Sequence, residues 1–343
     1  MIKDDTRPLV WLLGTGGTIA QWADSRLAFV EYGTDKHIDV HGNLERIPEI
    51  QEFVRTEAEH LWNVGSGINT TELLPLSRRV SEILLNPEVS GVVVTHGTYS
   101  LEETAYWLHL TVRNTKPVVV TGTQRPPSAM GTDADNNLFD ALILAGSEEA
   151  RDKGVLVAFN NEIQAAREVT KTNSHRLETF QSRELGMLGY IDSDLKVKFY
   201  RQSTRRHTHQ SEFDIGELMD LPRVDILYAY QDNDDVAVKA FVAAGAKGLV
   251  LSGAQAGGGL GGTPTGGYQR TGGKGIEEAR QAGVMVVATN RNGAGQMIRS
   301  VQQRKHGIIS GDNLSAQKAR ILLRLALTMT TDPEEIQRMF DQY

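Results

Sequence analysis

The chain predicts an α/β protein, with a larger N-terminal domain built on a parallel sheet with flanking helices and a smaller C-terminal α/β domain. Three observations carry this. Short apolar runs recur at Leu9–Leu13, Gly91–Thr95, Pro117–Thr121 and Gly154–Ala158, each ending in glycine or small polar residues, as strands buried on both faces do. Stretches of helical spacing separate them, so parallel strands joined by right-handed crossovers are the economical arrangement. The series breaks at a polar, basic stretch and starts again at Val224.

In chain order, strand Leu9–Leu13 leads into Gly14-Thr15-Gly16-Gly17-Thr18 and then a polar, irregular segment, Gln21–Asp39, long enough to be a lid or a disordered insertion. Leu44–Arg55 has helical spacing, Leu61–Val64 is strand-like, and Leu76–Leu85 is a helix stopped by Asn86-Pro87. Strand Gly91–Thr95 ends in His96-Gly97-Thr98-Tyr99-Ser100. Helix Leu101–Leu110 follows, with Ser100 as its cap and Glu102 and Glu103 in its first turn. Strand Pro117–Thr121, helix Asn137–Ala145 and strand Gly154–Ala158 complete the series, and Asn160–Asn173 is polar.

The basic run Arg201–Glu217 reads as a solvated linker, in which His207 and His209 form at most a weak metal pair. The domains expected are therefore 1–200 and 223–343, joined by 201–222. The second half alternates strand Val224–Tyr228, helix Val236–Ala244, strand Gly248–Leu251, a mobile glycine-rich loop Gly257–Gly273, helix Gly275–Ala282 and strand Val284–Ala288. Helices Gln317–Met329 and Glu334–Phe340 close it.

The totals narrow the chemistry. A length of 343 residues suits one large domain or two ordinary ones. A net charge of -7 argues against a nucleic-acid partner, and the lack of cysteine excludes thiolate catalysis, disulfides and cysteine metal sites. No apolar run reaches membrane-spanning length, so no membrane partner is expected. The start, Met1–Asp5, leads to a strand rather than a signal peptide; the location expected is periplasmic where a leader has been removed and cytoplasmic otherwise.

Ligands of open α/β sheets bind past the carboxyl ends of the strands. Here those ends carry Thr15 and Thr18, Ser66, Thr98 and Thr123, a rim of hydroxyls and backbone N–H groups suited to a small polar molecule. The Gly14–Thr18 loop lacks the third glycine of a dinucleotide fingerprint, that position being Ile19, and it lacks the lysine of a phosphate loop. A plain glycine turn and a threonine nucleophile needing a nearby base remain.

With these pieces laid out, the chain resembles the bacterial L-asparaginase/glutaminase family, and most closely its exported, tetrameric type. The motifs are TGGTIA (Thr15–Ala20), THGT…LEETAYWL (Thr95–Leu108), GVLVAFN (Gly154–Asn160), VTKTN (Val169–Asn173), LGYI (Leu188–Ile191) and the tail from Gln317 to Pro333. The resemblance implies amide hydrolysis through a threonine nucleophile and an acyl-enzyme, without metal or cofactor, in a homotetramer built as a dimer of intimate dimers. It implies Thr18 as nucleophile, assisted by a lid tyrosine that falls on Tyr32, and a second threonine and activating lysine at Thr98 and Lys171. It also implies oxyanion-stabilising backbone N–H groups at Thr98 and Thr123, and a carboxylate-holding serine at Ser66.

Three departures fall on the groups that hold the substrate's α-ammonium. Tyr99 stands where the family has aspartate, Gly67 where it has glutamine, and Ser300 near where a neighbouring subunit's glutamate is expected. The family's GNGN-like stretch reads Ala254–Gly258. An ammonium closed away from these partners is poorly compensated. The expected substrate is an asparagine-like amide whose head group differs, N-substituted or lacking the amine, with Gly67 and Ser300 removing bulk. The alternatives are an ordinary asparaginase/glutaminase with a compensated site and a non-catalytic small-molecule binding protein on the same scaffold. Loss of the aspartate also predicts a lowered pKa for Lys171, unless Glu168 or the Tyr99 hydroxyl replaces it.

Overall fold

In the computed structural model, residues 5–32, 36–65, 67–231, 233–253 and 273–343 are described. They form two compact units, Met1–Asp214 and Ile215–Tyr343. In the first, β1 (Leu9–Gly16), β2 (Arg55–Val64), β3 (Val89–Thr95), β4 (Val118–Thr121) and β5 (Val155–Phe159) run parallel. After them come β6 (Glu162–Ala165), β7 (Thr170–Lys171), β8 (Phe180–Gln181), β9 (Gly189–Ile191) and β10 (Val197–Phe199). The eight-stranded sheet has the order β10-β9-β6-β5-β4-β3-β1-β2, and β7 and β8 form a separate antiparallel pair. The helices are α1 (Val40–Glu45), α2 (Thr70–Leu85), α3 (Leu101–Thr111) and α4 (Ala134–Gly146).

The apolar runs become the central strands because both faces are covered. Val10, Leu12, Val93 and Val119 are fully buried and share one core with Leu138 and Leu142 of α4. Each such side chain contributes about 1.5–3 kcal/mol through burial. The edge strand β2 begins at Arg55, six residues before the strand-like run, because its first half alternates with charges as edge strands do.

Three stretches differ from the sequence reading. Leu44–Arg55 is not one helix: α1 ends at Glu45, a 3-10 turn covers Pro48–Glu52, and Arg55 already lies in β2. Pro48 supplies no N–H for a continuing α-helix and sits at the start of the tighter turn. The polar stretch after Phe159 is a hairpin, since Asn160 (φ 55) and Asn161 (φ 64) form a two-residue left-handed turn that reverses the chain into antiparallel β6. The run read as a solvated linker is packed over its first part: His207, Ser211 and Phe213 are buried, and the boundary between units falls after Asp214.

The hairpin is tied to α4. Asp140 accepts hydrogen bonds from Asn136 Nδ2 (3.1 Å) and Asn161 Nδ2 (3.0 Å). Burial pushes its carboxyl up to about 7, against these two bonds. A folded-state pKa raised above the unfolded value means stability that is full at low pH and is lost as pH rises through the folded value. Urea midpoints should therefore fall between about pH 4 and 7, and Asp140→Asn should remove that fall. Equal pH dependence in both proteins would place the titration elsewhere.

The second unit holds β11 (Val224–Tyr228), α5 (Val236–Ala243), β12 (Gly248–Gly253), α6 (Gly273–Gln281), β13 (Met285–Asn290), α7 (Val301–Lys305), β14 (Ile309–Ser310), α8 (Ala316–Ala326) and α9 (Pro333–Gln342). Its four strands are parallel in the order β11-β12-β13-β14. Leu249, Leu251, Val286 and Ala288 make its core with Val238 and Ile276. Ser315 and Asp332 cap α8 and α9, the latter with Pro333 in its first turn. Residues 254–272, which include the Ala254–Gly258 stretch and the glycine-rich loop up to α6, lie outside the described residues. Among the described residues no helix is long and apolar enough to cross a membrane.

Candidate active site

The sheet register brings the loops after β1, β3 and β4 together. Gly14 pairs with Thr95, and Thr95 pairs with Thr121. Thr15 Oγ1 donates to Thr95 O at 2.9 Å, and His96 N donates to Thr121 O at 2.8 Å. Gly17 adopts φ 85, and a Cβ placed there would lie 2.3 Å from Gly97 Cα. Glycine is thus required at 17 twice, for its conformation and for the contact between the two loops that carry Thr18 and Thr98.

Thr18 opens a buried 3-10 turn, Thr18–Ala20, and its Oγ1 lies 2.9 Å from the Tyr32 hydroxyl. Tyr32 comes from the polar segment after β1, which is held down at several points. Ile38 N donates to Ala20 O, Ala23 N to Ser128 Oγ, and Met130 N to Arg26 O, each between 2.9 and 3.0 Å. The Arg125 guanidinium lies 5.3 Å over the Phe29 ring. The segment is therefore a strap fastened to the loop after β4, and it delivers a phenol to the threonine.

Thr98 is paired in the same manner. Lys171 Nζ donates to Thr98 Oγ1 at 2.8 Å, and burial lowers the lysine's pKa from 10.5. The Tyr99 side chain, proposed as a replacement partner, is 79% exposed, and the Glu168 carboxylate lies 3.9 Å from Arg201. One residue escaped the sequence reading. Glu102 is buried, and one of its oxygens accepts from Lys171 N (2.6 Å) and Thr170 Oγ1 (2.7 Å), which fixes β7 and so the lysine. Its signal was present in the LEET run but read equally well as a helix first-turn acid. His96 is fully buried between Gly97 O and the Thr104 hydroxyl; burial pushes its pKa down to about 4, so it is a neutral support for the loop.

The binding-side residues are less uniform. Ser66 lies outside the described residues. The Thr123 hydroxyl turns inward to Arg125 O and the Asp133 carboxylate, which also accepts from Gln124 N and Arg125 N. This shapes the loop and leaves Thr123 no free hydroxyl to offer a ligand. At Gly67 the expected extra room is absent, because a Cβ there would lie 2.1 Å from Ser100 Oγ. The volume is filled by Ser100 instead. Ser300 belongs to the second unit, where it caps the short α7 by reciprocal bonds with Gln303. Four of the nine expected residues thus form two close pairs, Thr18–Tyr32 and Thr98–Lys171, on loops in contact.

Such paired hydroxyls can attack a carbonyl carbon and move the protons that attack releases. Comparison with known proteins identifies the family. The family model "Asparaginase, N-terminal" matches residues 9–205, and "Glutaminase/Asparaginase C-terminal domain" matches 223–340. The chain is 40% identical to L-asparaginase 2 of Bacillus subtilis, over 98% of this chain and 87% of that protein. It is 38% identical to the glutaminase-asparaginase of Pseudomonas fluorescens, over 97% of this chain and 90% of that one. A crystal structure of the probable cytoplasmic L-asparaginase from Campylobacter jejuni superposes with a TM-score of 0.91 at 38% identity, covering 98% of this chain and all of that one. With both halves of the chain matched in order, and Thr18–Tyr32 and Thr98–Lys171 paired on adjoining loops, the chain belongs to the asparaginase/glutaminase family of amidohydrolases.

Proposed function

We propose that this amidohydrolase cleaves the side-chain amide of an asparagine-like compound to a carboxylate and ammonia through a Thr18 acyl-enzyme. The observation that carries the reading is the doubling of hydroxyl and proton carrier, Thr18 with Tyr32 and Thr98 with Lys171. Thr18 Oγ1 attacks the amide carbon and gives its proton to the Tyr32 oxygen while the phenol passes its own proton on to the amide nitrogen. The tetrahedral intermediate collapses, the C–N bond breaks, and the nitrogen, carrying the proton relayed through Tyr32, departs as ammonia. Lys171 in its neutral form, which burial favours, accepts the Thr98 proton, so that Thr98 draws a proton from water as the water attacks the ester. The C–O bond to Thr18 then breaks, Thr18 Oγ1 takes a proton from Tyr32 as Tyr32 takes the one left on the new carboxyl, and Lys171 releases its proton to solvent, which leaves the hydroxyl and the product carboxylate. Backbone N–H groups at Thr98 and Thr123 hold the developing oxyanion.

The substrate's head group differs from that of free asparagine in this reading. Tyr99 and Gly67 supply no anionic or amide partner for an α-ammonium. Because Ser100 fills the space beside Gly67, the departures favour an amide lacking the amine over one with a bulky substituent. The identity to proteins named L-asparaginase favours the second reading, ordinary asparagine held by groups elsewhere.

Ammonia release from L-asparagine, L-glutamine, D-asparagine, succinamic acid and an N-substituted asparagine separates the two. The expected order has succinamic acid ahead of L-asparagine by at least about tenfold in kcat/KM, a difference of about 1.4 kcal/mol in transition-state binding. Rapid turnover of plain L-asparagine alone sinks the head-group proposal and leaves the hydrolytic one. Tight binding without any turnover, unaffected by Thr18→Ala, replaces both with a binding protein.

A further inference from the structure

We propose a structural site for a divalent transition-metal ion at Asp152, His207 and His209, on the side of the first unit opposite the catalytic loops. The three residues each offer one ligand atom, and those atoms lie within 4.8 Å of one another. His209 Nδ1 is already 3.1 Å from Asp152 Oδ1. Ligand atoms about 2.0–2.1 Å from a tetrahedral ion sit roughly 3.3 Å apart, so one pair has the right spacing and the third atom needs to close by at most about 1.5 Å. Two imidazoles and a carboxylate suit Zn2+ and its neighbours rather than Mg2+ or Ca2+, which take oxygen ligands.

The surroundings are built to present these groups. His207 is buried, and its Nδ1 lies 2.8 Å from the Thr208 hydroxyl. With Nδ1–H donating to that hydroxyl, Nε2 keeps its lone pair for a metal, the outer bond that commonly fixes a ligating histidine. The ring is backed by His109, 5.5 Å away between centroids, whose own Nδ1 accepts from Val155 N. Gly154, at φ 75, lets the backbone pass beneath both rings, since a Cβ there would lie 2.5 Å from His109 Cε1 and 3.2 Å from His207 Cγ. Asp152 and Thr208 themselves adopt φ 56 and 36. Left-handed backbone is costly for non-glycine residues, most of all a β-branched one, and such strain collects at ligand clamps.

The location defines the role. Asp152 N donates to Thr115 O at 2.8 Å, so the site stands before the first residues of β4 and β5. Thr98 and Thr123 follow the far ends of β3 and β4, roughly 20 Å away at about 3.3 Å per strand residue. An ion there takes no part in amide cleavage. It pins residues 207–209, just before the chain leaves the first unit, to the turn that leads into β5.

The test uses the full chain, stripped with a chelator and then titrated with Co2+ and Zn2+. One equivalent of Co2+ should give the visible d–d absorption of a four- or five-coordinate site, and Zn2+ should abolish it by displacement. Zn2+ at a hundredfold excess over its Kd should raise the thermal midpoint by about 5–10 °C. Both signals should vanish in His209→Ala and in Asp152→Asn, substitutions at exposed side chains, the second of which suits the left-handed conformation at 152. No absorption and no thermal shift in the wild type would overturn the proposal. So would signals retained in either variant, which would place the ion at other histidines.

Discussion

Thr18→Val should lower kcat for ammonia release by at least about 10 000-fold, or about 5.5 kcal/mol, on whichever amide of the panel the wild type turns over. Valine matches threonine in volume and branching, so the buried 3-10 turn keeps its packing and only the hydroxyl is lost. No other side chain touching the Tyr32 hydroxyl offers a nucleophile among the described contacts. Tyr32→Phe, which keeps the ring and removes only the proton carrier, should cost less, about 100- to 1000-fold. The circular-dichroism spectrum and the thermal midpoint of both variants should match the wild type. Near-wild-type turnover by Thr18→Val removes Thr18 from the nucleophile's place. A Tyr32→Phe loss as deep as that of Thr18→Val means instead that the pair acts as one unit, as groups in a single proton path do.

The parts of this site that the sequence made legible are those set by local chemistry. Val92, Val93 and Val94 can only be an interior strand, and its end must then present Thr98; the same reasoning places Thr15 and Thr123 at the same edge. Lys171 was found by likeness of motif, because nothing local distinguishes it: its position depends on Glu102, 69 residues earlier, holding its backbone N–H. Gly67 shows the opposite limit. A glycine in place of a larger residue reads as added room, but Ser100 occupies that room, and only packing reveals it. The histidines at 207 and 209 read as solvated because their run is basic and aperiodic. The burial of His207 comes from His109 and Gly154, which no local pattern connects to it. The Asn160–Asn161 turn carries a local signal: paired asparagines favour a left-handed hairpin, and the antiparallel strands beyond β5 follow from it.

Lys171→Met should abolish the ascending limb of the pH–rate profile and lower kcat by about 100- to 10 000-fold. In the proposed mechanism Nζ must be neutral to take the Thr98 proton, so the wild-type rate should climb as the lysine deprotonates. Burial lowers that lysine's pKa, which sets the midpoint of the limb below 10.5. The same group has a second signature, in stability. An unfolded lysine holds its proton up to about 10.5, while the folded one releases it earlier, so across that window the folded state binds fewer protons and stability rises with pH. Below the folded value both states are charged, and the cost of burying the ammonium is present in full. Methionine carries no charge to bury, so Lys171→Met should be the more stable protein at neutral pH and should lose the rise. Two independent measurements, the rate limb and the onset of the stability rise, should therefore meet at one pH in the wild type and disappear together in the variant. A limb that survives in Lys171→Met belongs to another base, with the Tyr32 hydroxyl the next candidate by its contact with Thr18. A rate limb that vanishes while the stability rise remains would leave Lys171 as the base and assign the buried charge to a different residue.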